Sequence, residues 1–135
     1  MTSKTIGSKA DQQAVLGVLK GVHEAWEAND AEAFVADYLD DASVVQPGVY
    51  RKDRQEIQSS MAGAFAGPLK GSRVIDQPQD VRFVNEDTAI VISKGGIVFP
   101  GQNAVPSEDT VRATWVLAKH DGRWHVAAYH YSAAN

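Results

Sequence analysis

Apolar residues in the first part of the chain recur with a helical period. Val15, Leu19, Val22 and Trp26 stand at i, i+4, i+7 and i+11, which predicts an amphipathic helix from Ala10 to about Asn29-Asp30. Asn29 or Asp30 can cap a second helix whose apolar face is Phe34, Val35, Tyr38 and Leu39. The period then shortens. ASVVQ (42–46) reads as a short strand, Pro47-Gly48 as a turn and VYR as a brief return strand. Asp53, with Glu56 three residues later, has the spacing of a capping box. It opens a third helix with Ile57, Met61 and Phe65 on one stripe, and Gly67-Pro68 ends it.

Beyond Pro68 the texture changes to long runs of β type: SRVIDQPQDVRFV, TAIVISKGGIVF, EDTVRATWVLAKH and RWHVAAYHYSA. The separators NED and DG are short enough for hairpins, so neighbours should pair antiparallel. Pro78 and Gly95-Gly96 fall inside runs, where bulges or bends are expected. The predicted class is α+β, with three N-terminal helices packed on one side of a curved, mainly antiparallel sheet. Residues 1–9 read as a flexible polar lead and 10–135 as one domain, in keeping with 135 residues in all.

Composition removes several chemistries. With no cysteine there is no thiol nucleophile, thiolate metal site or disulfide. The formal net charge of −4 argues against a nucleic-acid partner. No stretch has the apolar length of a membrane span, and MTSKTIGSKA has no apolar run, so a cytoplasmic location is expected. The four histidines are scattered without His-x-x-x-His spacing, so no metal site is expected. The glycines form no phosphate-binding loop, and no cofactor is expected.

Two segments carry a family resemblance. ANDAEAFVADYLDDASVVQPGVYRKDRQEI resembles the opening part of the SnoaL-like and ketosteroid-isomerase-like proteins of the nuclear-transport-factor-two-like superfamily. TWVLAKHDGRWHVAAYHYS is similar to their closing hairpin, with a Trp just after a DG turn and then His and Ser six and eight residues on. Within the superfamily the chain resembles the SgcJ/EcaC group, some of whose members serve actinomycete natural-product pathways, including enediyne assembly. The resemblance implies a conical α+β barrel and a homodimer. It leaves the reaction open, because the superfamily hosts enzymes, transport factors and oligomerisation modules.

The resemblance also allows the isomerase reading to be tested. In ketosteroid isomerases the carboxylate base stands just before the Pro that closes the strand after the second helix. Gln46 occupies that place, and an amide cannot abstract a proton. The tyrosine of their first helix aligns with Val22. Cyclase relatives keep an acid in the late strands, where 110–120 and 123–135 contain neither Asp nor Glu.

Histidine remains for proton transfer. Alternation along the last strand places Trp124, Val126, Ala128 and His130 on one face and His125, Ala127, Tyr129 and Tyr131 on the other. With Trp124 and Val126 inward, His130 points into the cone with Ser132 beyond it. Tyr129 and Tyr131 then decorate an outer, dimer-prone face. A bulge near Ala127-Ala128 inverts the assignment. His130 can be a structural histidine, a ligand contact or a general base. Arg112 and Thr114 share a strand face, from which Arg112 either pairs with an acid such as Asp37 or holds a ligand. His23 and His120 are expected in solvent.

Trp26, Tyr38, Met61, Phe65 and Trp124 are expected around one apolar space, with Gln46, Arg112, Thr114, His130 and Ser132 as its polar contacts. Three functions stay open. One is binding of a hydrophobic polyketide-type small molecule, such as an enediyne. Another is a cofactor-independent isomerase, cyclase or hydrolase using His130. The last is a dimerisation module with a filled pocket.

Overall fold

A computed structural model describes residues 6–134. The expected flexible lead lies in part outside these residues. Helix α1 (Lys9–Glu27) begins where the Ser8 side chain accepts from the Asp11 N–H at 3.1 Å. Its period is the one seen in the sequence: Val15, Leu19 and Val22 are buried. It ends at Glu27, and two residues on Asn29 adopts a left-handed φ of 53°. Asn29 then ties two elements together, since its side chain donates to the Trp26 carbonyl and accepts from the Gly71 N–H.

Asp30 caps α2 (Ala31–Phe34), which is a single turn. The longer second helix expected from Phe34, Val35, Tyr38 and Leu39 does not form, because Tyr38 and Leu39 already belong to strand β1 (Tyr38–Gln46). Pairing with the last strand captures this segment in extended form, overriding its helical pattern. Strand β2 (Val49–Arg51) returns beside β1. Asp53 caps helix α3 (Arg54–Ala66) by accepting from the Glu56 N–H at 2.8 Å, and Ile57, Met61 and Phe65 form its buried face.

Four long strands follow: β3 (Arg73–Asn85), β4 (Thr88–Val98), β5 (Val111–His120) and β6 (Arg123–Ala133). With β1 and β2 they make one six-stranded sheet in the order β2-β1-β6-β5-β4-β3. Every pair is antiparallel except β1 with β6. This is the expected α+β class, helices on a curved and mainly antiparallel sheet.

Irregularities bend the sheet around α1. The β3–β4 ladder slips between Pro78 and Asp80, as the proline suggests. Gly95 and Gly96, in contrast, pair in regular register with Asp76 and Ile75. In β6 the ladder passes from Val126 opposite Leu117 to Ala128 opposite Val116, leaving Ala127 as an extra residue. This bulge inverts the facing of everything after it. Trp124 and Val126 point inward before the bulge, and Tyr129 and Tyr131 point inward beyond it. Among the described residues no helix is long and apolar enough to cross a membrane.

Candidate functional site

The inner face of the sheet is built in rows. Val91, Trp115 and Tyr129 are cross-strand neighbours, as are Ser93, Ala113 and Tyr131 in the next row. Trp115 and Tyr129 stack with ring centroids 4.1 Å apart. Toward the mouth the inward residues become small, and a cavity of about 590 Å³ opens there. Its walls include Trp26 from α1, Tyr38 from β1, Met61 from α3, and Tyr129 and Tyr131 from β6. Gln46, Arg51, Glu108, Asp109 and Thr110 border the same space and add polar groups to it.

Trp26 is held by a 2.9 Å hydrogen bond from its indole N–H to Ser72 Oγ, and Ser72 donates to the Leu69 carbonyl. The indole face is thereby fixed for the cavity. Tyr38 is buried and Tyr129 half-buried, and desolvation pushes both phenols above their ordinary value. They remain hydrogen-bond donors through neutral pH. Neither hydroxyl has a hydrogen-bond partner among the described residues. An apolar cavity with two such donors suits a ligand that carries an acceptor oxygen.

The structure divides the residues expected at the site. Trp26, Tyr38, Gln46 and Met61 line the cavity together. Phe65 stands behind its wall, with its ring edge-on to Trp26 and Phe34. Trp124 lies at the closed end instead, packed on Phe83, with its indole N–H donating to Asp11 at 3.2 Å. The inversion at Ala127 turns His130 and Ser132 outward, and both are exposed. His130 is not positioned to act on a molecule in the cavity. Arg112 is exposed, and Thr114 shares its outer face, because Ala113 and Trp115 take the inward positions. Asp37 pairs with Arg123 at 3.1 Å rather than with Arg112. Tyr129 and Tyr131, expected on a dimer face, line the cavity.

Another polar group escaped the sequence reading. His23, expected in solvent, packs edge-on against Trp115 at 5.8 Å, and its side chain is 19% exposed. Its Nε2 lies 3.6 Å from Oδ2 of Asp76, a carboxylate buried on β3. Ser93 donates to Asp76 Oδ1 at 2.5 Å. Burial lowers the pKa of His23, and the charge of Asp76 opposes that shift. Two sequence signals could have found the pair. His23 follows Leu19 by four residues and precedes Trp26 by three, which places it on the apolar stripe. Asp76 alternates with the inward Val74. Among the described residues no three His, Cys, Asp or Glu side chains are grouped to hold a metal ion.

Solved structures share this architecture. A domain of unknown function with a cystatin-like fold from Nostoc punctiforme superposes with a TM-score of 0.84 at 25% identity, covering 93% of this chain and 78% of that one. An NTF-2 like protein of unknown function from Shewanella oneidensis gives 0.77 at 18% identity, covering 90% and 98%. A ketosteroid isomerase-like protein from Erwinia carotovora atroseptica gives 0.75 at 18% identity, covering 95% and 99%. No curated protein matches the chain. The SnoaL-like domain family matches residues 15–135, nearly the whole of the sheet and helices that build the cavity, and the chain belongs to that family.

Proposed function

We propose that the protein binds a hydrophobic small molecule in the aromatic cavity, with an acceptor oxygen of the ligand held by Tyr38 and Tyr129. The observation that carries this reading is the open 590 Å³ space, lined by aromatic rings that include two phenols without partners. The two tyrosines line the cavity with no partner for their hydroxyls among the described residues, so a carbonyl or phenolate arriving there adds hydrogen bonds to its apolar contacts. The SgcJ/EcaC resemblance favours a polyketide-type compound, such as an enediyne intermediate or product of natural-product biosynthesis. A reaction catalysed by His130 is not supported, because that residue lies on the opposite face of β6 from the cavity.

Thermal unfolding with a panel of polycyclic aromatic ketones and polyenes tests this. A ligand that binds only the folded state raises the melting temperature by mass action. Ala64 lines the cavity from α3, and Ala64→Phe should fill the space and remove the shift. A panel with no stabilising member for the unmodified protein would overturn the proposal.

A further inference from the structure

The deep end of the cavity is phenolic, and its rim carries a cation. In the β1–β2 hairpin Val44 pairs with Arg51 and Gln46 with Val49, so these side chains share one face, while Val45 and Tyr50 are exposed on the other. Val44 belongs to the core, and its face turns Arg51 and Gln46 toward the cavity they line. Tyr38, at the deep end, is 1% exposed. Arg51 and Gln46 are only partly covered and stand at the rim.

Two other arginines are already matched. Arg54 holds Asp40 at 2.6 Å and donates to the Tyr38 carbonyl, and Arg123 holds Asp37. Arg51 has neither an ion pair nor a hydrogen bond among the described residues, and the Gln46 side chain has none either. No other Lys, Arg or His lines the cavity among the described residues. Its two acids, Glu108 and Asp109, come from the 3-10 turn Ser107–Asp109 before β5. Both are exposed, so solvent screens them, and neither pairs with Arg51.

We propose that the cavity takes a hydrophobic acid, its carboxylate gripped by Arg51 and Gln46 at the rim. The assignment rests on the cavity reading above and adds an anionic end to its ligand. The apolar body lies against Trp26, Phe34 and Met61, and an inner oxygen reaches Tyr38 and Tyr129. A guanidinium presents parallel N–H groups that match both oxygens of a carboxylate, and the Gln46 amide adds a neutral donor beside it. The aromatic walls lower the dielectric on one side of that pair, which makes it stronger than an ion pair on open surface.

Anthraquinone-2-carboxylate is the probe, compared with anthraquinone-2-carboxamide, which has the same rings and ketones without the charge. Isothermal titration into the whole chain at pH 7.5 should show the carboxylate binding about tenfold tighter, the worth of a hydrogen bond to a charged group. Arg51→Gln should abolish that preference, the loss falling on the carboxylate, and should leave the melting temperature of the free protein in place. Arg51→Lys should restore part of the preference, since an ammonium keeps the charge and loses the fork. Added sodium chloride should weaken binding of the carboxylate and not of the carboxamide. Equal affinities of the two probes for the unmodified protein, or a preference that survives Arg51→Gln, overturn the proposal and leave the cavity reading standing. Binding of neither probe also overturns it, and the wider ligand panel then decides the cavity reading by itself.

Discussion

Gly95 stands directly across from Asp76 in the β3–β4 ladder, and a β-carbon at position 95 would run into the Ile75 carbonyl and the Asp76 backbone. The two strands pass closely because one residue has no side chain. That approach lets Ser93, two residues earlier, reach the buried carboxylate. Gly95→Ala should therefore destabilise the fold by about 3 kcal/mol, the upper end of overpacking costs. Gly63, in α3, has open space around its would-be β-carbon. Gly63→Ala should be neutral or stabilise by up to about 1 kcal/mol. Urea midpoints of the two variants test the contrast, and equal effects would contradict the packing at Asp76.

The buried imidazole predicts an acid-sensitive stability. His23 has a folded pKa below its ordinary value, chiefly through desolvation. The unfolded chain then binds the proton more tightly, so stability falls as pH drops from the ordinary histidine range toward the lowered folded value. Above that window this contribution is fully present. The slope from one group cannot exceed about 1.4 kcal/mol per pH unit. Urea unfolding at pH 7.5 and 5.5 should show the loss, and His23→Gln should flatten it. A pH dependence unchanged in His23→Gln would place the imidazole in solvent.

Removing one phenol separates its two roles. Tyr129→Phe keeps the stack on Trp115 but deletes the hydroxyl that faces the cavity. Stability should change by less than about 1 kcal/mol, because the hydroxyl has no protein partner to lose. Affinity for an oxygen-bearing ligand should fall about tenfold, the worth of one hydrogen bond. Isothermal titration with the best ligand of the panel measures this, and an unchanged affinity would remove Tyr129 from ligand recognition.

His130 supplies the converse test. It is exposed on the outer face of β6. His130→Gln should leave ligand affinity unaltered and shift stability by no more than about 0.5 kcal/mol. A tenfold loss of binding would put this side chain back at the site and would contradict the bulge at Ala127.

The sequence by itself determined the features whose causes are local. The spacing of Val15, Leu19 and Val22 is a property of neighbours on one helix. The Asp53 cap and the DG turn at Asp121-Gly122 are likewise settled within four residues. From these the α+β order of helices and hairpins follows, and so do Trp26, Tyr38 and Met61 as cavity residues. Tertiary structure decided the rest. Period-two alternation in β6 holds only while each residue has one partner, and Ala127 breaks it because β5 offers no residue opposite. No property of HVAAYHY alone announces that mismatch, since it depends on how two strands fit together. Tyr38 and Leu39 are extended for a similar reason: β6, more than 80 positions along the chain, pairs with their strand. Asp76 is buried because Gly95 lets β3 come close and because His23 and Ser93 meet it from other elements. A carboxylate's burial is set by what surrounds it in space, and that environment exists only once the chain has folded.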